Sequence, residues 1–452
     1  MTSNISEIIA PEHVVIVGAS LAGLRGGEAL RKAGFTGQLT IIGDEPYLPY
    51  DRPPLSKQVL AGRLAVEHTT LAPLQQLDAQ WLLGVPARRL DVTKRQVILA
   101  DGRSVVFDYL LIATGTRARC WPVPEEAALD GVFTVRNRDD ASKLQARLAT
   151  RPRRVLIVGG GFIGCEVASV CRDLGLDVTI VERGPAPLGG ALGSTIGNIA
   201  ADTQRKHGVD LRPGTVVTAL EGDQNNRLRG AQLSDGSSLE TDVAVIALGA
   251  VRNVEWLLNT DLSTDTRGVV CDTYCRVLDS NGDVVENIFV AGDVARWPHP
   301  LYHDNGQLLA IEHWENAVEQ ARTAANNMLS PSFDYREHTH IPTFWSSQFG
   351  ANIKSIGLPT MADEVMLTQA SFGMRRFTAV YGRRGRTVAV VAFNAGQTLE
   401  TYRTLVEQAA PFPPNLHAAD QPASARPMPA GFPTAGHPKY DTGAEPNLVT
   451  LQ

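Results

Sequence analysis

Arg154-Val155-Leu156-Ile157-Val158-Gly159-Gly160-Gly161-Phe162-Ile163-Gly164 runs a short apolar strand straight into a glycine-rich turn. Such a turn lets the backbone reverse tightly beneath a pyrophosphate, while the following helix points its free N–H groups at it. The same design stands earlier in the chain, where His13-Val14-Val15-Ile16-Val17 leads into Gly18-Ala19-Ser20-Leu21-Ala22-Gly23. Each stretch reads as the start of a βαβ unit. One such motif is weak evidence, but two in one chain imply two dinucleotides held side by side, one able to reduce the other.

Working outward, the first unit predicts a helix over 21–33, a strand over 38–42 and a buried strand over 109–112 that ends in Ala113-Thr114-Gly115. Between these, Pro46 to Lys57 is too proline-rich for a regular element and reads as a shaped loop. The second unit repeats the order, with a helix over 164–173, a strand over 177–181 ending at Glu182, and a strand over 243–248 closed by Gly249. The segment 287–293, ending in Gly292-Asp293, and a helix over 314–328 then return the chain to the first unit. From about Pro331 alternating segments at 377–381 and 387–393, then a helix over 397–408, predict an antiparallel α+β region. The stretch 411–452 holds nine of the 27 prolines and has no periodicity, which predicts a disordered tail.

Composition narrows the possibilities. A chain of 452 residues suits two or three domains. A net charge of −6 gives no support for nucleic-acid binding, and the longest apolar runs are far too short to span a membrane. The N-terminus lacks the basic start and apolar core of a secretory signal, so a cytoplasmic enzyme is expected. The five cysteines form no Cys-x-x-Cys pair and no zinc spacing, so no metal is expected. Cys165 and Cys171 read as core packing. Cys271 and Cys275 could approach across a strand and turn, although scattered buried thiols are the simpler expectation.

In the first turn Ser20 replaces the middle glycine. A small residue still lets a phosphate approach, with Gly18, Ala22 and Gly23 nearest it and Asp44 or Glu45 placed to accept from an adenosine ribose. The second turn is complete at Gly159, Gly161 and Gly164, with Phe162 and Ile163 in its helix start. Glu182 follows 23 residues after Gly159, where a carboxylate bonds the ribose hydroxyls of NAD and repels the extra phosphate of NADP. NADH is therefore favoured over NADPH, although the neighbouring Arg183 could hold a 2′-phosphate. Glu166 falls in the first turn of the expected helix, where it could complement the macrodipole or serve chemistry. Further cofactor-binding candidates are Arg52, Ala113, Thr114, Gly115, Gly249 and Gly292.

Pro49-Tyr50-Asp51-Arg52-Pro53-Pro54-Leu55-Ser56-Lys57, together with the Gly159 turn through Ala168, Val290 to Ala295 and Phe344-Trp345-Ser346, resembles the FAD-dependent NADH:ferredoxin reductases, the family of putidaredoxin reductase and of aromatic-ring dioxygenase reductase components. The likeness runs from about residue 12 to 410. It implies an α/β fold of the glutathione-reductase type. Two Rossmann-like domains would form it: an FAD domain (1–119 and 250–330) interrupted by an NAD domain (120–249), followed by an α+β interface domain (331–410). It also implies that Asp44 meets the FAD adenosine, that Ala87 and Arg136 contact FAD, and that Asp293 bonds its ribityl or phosphate portion. Trp314 would touch the isoalloxazine, and Lys57 with Glu166 would form the ion pair beside the flavin nitrogen that receives hydride.

The sequence departs from the family where Gly189-Gly190 replace an arginine near the NADH phosphates, where Arg252 replaces a proline, and where Ser347 replaces an aspartate. A disulfide reductase would need a cysteine pair after the second strand, yet no cysteine precedes Cys120. Electrons must therefore leave for an external acceptor. The resemblance implies a [2Fe–2S] ferredoxin supplying a P450 or dioxygenase, with Arg322 facing it and Trp345 between flavin and partner. Rubredoxin, a quinone, an ascorbate radical or oxygen are alternative acceptors. A non-enzymatic, NADH-gated protein resembling apoptosis-inducing factor is a third possibility. A monomer or weak dimer is expected.

Overall fold

The computed structural model describes residues 11–302, 306–371, 376–414 and 426–432. The first unit is β1 (His13–Val17), α1 (Leu21–Lys32), β2 (Gln38–Ile42) and β3 (Tyr109–Ile112). The second is β4 (Arg154–Val158), α2 (Phe162–Asp173), β5 (Asp177–Glu182), α3 (Gly189–Lys206), β6 (Asp210–Pro213) and β7 (Val243–Ile246). Beyond it β8 (Val284–Val290) and α4 (Trp314–Leu329) carry the chain back. The last region holds β9 (Thr343–Gln348), β10 (Ala351–Gly357), β11 (Glu364–Ser371), β12 (Arg376–Arg383), β13 (Arg386–Phe393), α5 (Leu399–Glu407) and β14 (Met428–Pro429).

In the first sheet β8, β3, β1 and β2 lie side by side and parallel, with Val14 opposite Tyr109 and Leu39. In the second sheet β6, β5, β4 and β7 are parallel, with Val155 opposite Val178 and Val243. The Val/Ile runs of β1 and β4 are buried throughout their last four residues, as expected of parallel strands covered on both faces. An alanine face of α4 (Ala317, Ala321, Ala324, Ala325) joins the core beside α1, so the helix that returns late in sequence completes the first unit. The third sheet is antiparallel in the order β9, β10, β13, β12, β11, β14. Both glycine turns emerge at the carboxyl ends of central strands, where open α/β sheets bind ligands.

The chain beyond Pro411, expected to be disordered, is ordered at 411–414 and 426–432; the rest of it lies outside the described residues. Phe412 is buried, and Pro411 forms a bridge with Arg386. β14 adds an edge strand to β11, pairing Pro429 with Glu364 and Met428 with Val365. The same short segment grips α3: Thr195 Oγ1 donates to the Pro429 carbonyl (3.0 Å) and the Ser194 amide to the Gly431 carbonyl (3.1 Å). That amide is available because α3 kinks at Gly193 (φ +79°), where a side chain would strike the Ala430 carbonyl. Proline content signalled the missing helix periodicity but could not reveal a strap whose carbonyls are held by a hydroxyl and an amide of another element.

The four cysteines 165, 171, 271 and 275 are buried and unpaired, and Cys120 is exposed. Burial pushes the Cys171 thiol up to about 12, so it is inert packing. Among the described residues no helix is long and apolar enough to cross a membrane.

Candidate functional site

The two turns share a backbone. Gly18 and Gly159 both have positive φ (+125° and +109°), and a Cβ would strike the carbonyl of Ala113 or Ala247 at the end of the neighbouring strand. A Cβ on Gly23 or Gly164 would lie 1.9 or 2.1 Å from the carbonyl of Gly18 or Gly159, so the helix backbone rests directly on the turn. Ser20 and Gly161 are the N-cap residues of α1 and α2, both extended, and neither helix has a side-chain cap or an acidic residue in its first turn. The helix Arg138–Ala149 is the contrast: Asn137 caps it through the Asp140 amide, and Asp139 and Asp140 occupy its first turn. Two helices that leave their N-terminal amides uncapped, each at a glycine turn, suit two anionic pyrophosphates.

The acidic residues at the ends of β2 and β5 behave differently. Asp44 is exposed, its Oδ1 taking the Glu45 amide at 3.0 Å. Glu45, its alternative, is engaged within the protein by the Arg52 guanidinium (2.6 Å) and the Tyr50 hydroxyl. Glu182 reaches into its turn, accepting from the amides of Gly160 (2.7 Å) and Gly184 (2.6 Å). Each of its oxygens keeps a lone pair for a ribose hydroxyl. Arg183 is exposed. A side chain at Gly189 or Gly190 would meet nothing within 4 Å, so the N-terminus of α3 leaves open space beside the second turn.

The proline-rich loop is shaped by a 3₁₀ turn over Pro53–Ser56 and by ties to distant segments. Arg52 also donates to the Arg136 carbonyl (2.7 Å), and Arg136 pairs with Asp293 (3.0 Å), which accepts from Thr116 as well (3.2 Å). Asp51 accepts from the Trp314 indole N–H at 2.9 Å. Burial pushes the Asp51 carboxyl above its ordinary value, opposed by that hydrogen bond and by the Lys57 charge. Thr114 and Asn253 exchange hydrogen bonds (2.8 and 2.9 Å) across the Ala113-Thr114-Gly115 end of β3, and the Gly292 amide is held by Gln320 at 2.9 Å. Ala87 begins the strand Ala87–Asp91, half-buried, opposite Leu99.

At the junction of the three sheets Lys57 Nζ lies 2.7 Å from Glu166 Oε2, with the Glu166 side chain 3% exposed. Because α2 starts at Phe162, two residues before the expected Gly164, Glu166 sits in the second turn and is buried. It therefore does not complement the macrodipole, which acts at the first turn. The Ser56 and Ser346 hydroxyls donate to Glu166 Oε2 (2.5 Å) and Oε1 (2.6 Å). Phe162, at the start of α2, packs on Phe344 with ring centroids 4.8 Å apart, and Trp314 meets Trp345 edge-on at 6.1 Å. Trp345 is 41% exposed, so this aromatic wall reaches the surface.

Ile163 is exposed beside the second turn, and Arg322 is exposed on α4, paired with Glu319 of its own helix. Arg252 is anchored to Glu312 at 2.7 Å. Sequence reasoning missed Asp51, Ser56 and Ser346 as partners. All three lie inside stretches already singled out, but nothing in their spacing joins residues 110 and 180 positions from Glu166.

Residues 12–321 match the model of the pyridine nucleotide-disulphide oxidoreductases, and 343–427 match that of the reductase C-terminal region. The chain is 36% identical to rhodocoxin reductase of Rhodococcus erythropolis over 77% of this chain and 79% of that protein. It is 35% identical to the ferredoxin reductase component of chlorobenzene dioxygenase from Cupriavidus sp. (strain PS12), over 89% and 94%. Among solved structures, the covalent putidaredoxin reductase–putidaredoxin complex matches with a TM-score of 0.81 and 28% identity, over 88% and 94%. The chain belongs to the pyridine nucleotide-disulphide oxidoreductase family, and it is an FAD-dependent oxidoreductase that uses NAD(H).

Proposed function

We propose that this protein passes electrons from NADH through FAD to a small [2Fe–2S] ferredoxin, which supplies a P450 or a ring-hydroxylating dioxygenase. The observation that carries it is the Lys57–Glu166 pair with its buried carboxylate, contributed by the two glycine-turn units and bordered by an aromatic wall that ends at exposed Trp345. The relatives named as ferredoxin reductase components, and the solved complex with putidaredoxin, support the same acceptor class.

Bound FAD supplies the capacity to take two electrons as hydride and release them one at a time. In this reading the uncapped amides of α1, with Gly18, Ser20, Ala22 and Gly23, hold its pyrophosphate, and Asp44 takes the adenosine ribose. Arg52, Arg136 and Asp293 border the remainder, with Ala87, Gly115, Gly249 and Gly292 flanking it, and Trp314 closes the flavin side. The Gly159 turn and Glu182 hold NADH. Lys57 keeps a proton and a positive charge beside the flavin edge, and Glu166 neutralises and orients it. No cysteine precedes Cys120, so no thiol pair lies in the loop after the second strand to take the electrons. Arg322 faces the acidic partner and contributes mainly to association rate. The five unpaired thiols suit the cytoplasm as the compartment.

Purified protein mixed with NADH, candidate ferredoxins and cytochrome c tests the proposal: cytochrome reduction should depend on ferredoxin. Rapid NADH oxidation that no ferredoxin couples to cytochrome would overturn it in favour of a quinone or oxygen.

A further inference from the structure

Glu166 is held from three directions. Lys57 and Ser56 approach Oε2 from the loop of the first unit, α2 carries the carboxylate from the second, and Ser346 reaches Oε1 from β9 of the third sheet. β9 alternates in burial: Ser346 and Gln348 are buried on one face, while Trp345 and Ser347 are exposed on the other. Gln348 Nε2 donates to Ser346 Oγ at 3.1 Å, which leaves the serine's own proton for the carboxylate. The direction of the Ser346–Glu166 bond is thereby set.

The residue that follows β9 is tied to α2 as well. The Phe349 amide donates to Ser169 Oγ at 2.7 Å, one helical turn beyond Glu166. That contact docks β9 on α2 without touching the carboxylate, so docking and carboxylate placement are separable.

We propose that Ser346 is a positioning residue for hydride transfer, acting through Glu166. With Oε1 pinned by Ser346, the buried carboxylate has one orientation, in which Oε2 faces Lys57. Without it, Oε1 is left buried with no donor and the carboxylate can turn away from the ammonium. The strand that carries Trp345 to the surface thus sets the charge pair at the reacting centre. The inference rests on the proposed placement of Lys57 and Glu166 beside the flavin.

The test compares Ser346→Ala, Ser346→Thr, Ser169→Ala and Glu166→Gln in FAD-loaded protein, reading NADH-driven flavin bleaching in single turnover and the flavin midpoint potential. Ser346→Ala should slow bleaching about tenfold, the worth of one charge-assisted hydrogen bond, with NADH affinity unchanged. It should also lower the midpoint potential, because the carboxylate charge is less compensated. Ser346→Thr should restore both, and Ser169→Ala should leave both unchanged. If Glu166→Gln slows bleaching while Ser346→Ala leaves rate and potential alone, the inference fails and the site assignment stands. An effect that threonine does not restore, or that Ser169→Ala reproduces, reduces the contact to docking and also overturns it. If Glu166→Gln itself changes neither readout, the site assignment falls and takes the inference with it.

Discussion

The turns after β1 and β4 are near copies in backbone and unlike in what surrounds them. Their outer glycines meet the same obstacles: the neighbouring strand's carbonyl at Gly18 and Gly159, and the turn's own first carbonyl at Gly23 and Gly164. Their middle positions differ. Ser20 has φ −117° and ψ −157°, an extended conformation any residue adopts, so serine costs nothing there. The acids differ most: Asp44 stays outside its turn, whereas Glu182 clamps the Gly160 and Gly184 amides. Strand–helix packing therefore dictates the first and last glycines, while the ligand has a say only in the middle residue and the acid.

The strongest way to break the likeness is at the closest approach. Gly23→Ala should cost about 3 kcal/mol or more, since backbone must move to admit the methyl group, and the purified protein should have lost its visible flavin absorbance. Gly164→Ala meets the same obstacle in the second unit; flavin should be retained and NADH-driven bleaching lost. Equal flavin loss in both would show that the units do not fold independently enough for the comparison to hold.

Glu182→Ala removes the clamp on the Gly160 and Gly184 amides together with the proposed ribose acceptor. NADH affinity should fall ten- to a hundredfold, measured by titration, with FAD content unaffected. Asp44→Ala should weaken FAD less, because its carboxylate does not also shape the turn.

The strap sharpens the contrast from outside. It ties α3 of the second unit to the third sheet through Pro429 and Gly431, whereas α4 completes the first unit. Gly431 has φ +72°, and a Cβ there would lie 2.1 Å from Ser194 Oγ. Gly431→Val should therefore cost about 2 kcal/mol and raise amide exchange in 194–206 while leaving α1 protected.

The smallest effect is expected at the most visible sequence difference. Ser20→Gly restores a complete fingerprint yet should change stability by no more than about 1 kcal/mol, through backbone entropy alone, with FAD retained. A large change in flavin affinity would show that the Ser20 hydroxyl is an essential phosphate donor.

Much of this was legible in the chain. Period and punctuation identify β1, β4 and their helices because parallel strands buried on both faces leave a continuous Val/Ile signature, and because only glycine survives at the two close approaches. The Lys57–Glu166 pair was legible only through family likeness. Its lysine lies in an irregular loop and its glutamate two residues deeper in α2 than the expected helix start placed it. Spacing alone left Asp44 and Glu45 as alternatives and the family likeness pointed to Asp44; the structure adds that Arg52 and Tyr50 engage Glu45 within the protein.

Local chemistry within a dozen residues thus settled the elements, the turns and the absence of a thiol pair in the loop after the second strand, because each depends on spacing along one strand or helix. Ser346 on Glu166 and the strap on α3 join residues of different units, and Trp314 on Asp51 joins two residues of the first unit that stand 263 positions apart. No periodicity records such meetings: they follow from how three sheets pack, and only the folded chain brings those donors and acceptors within hydrogen-bond distance.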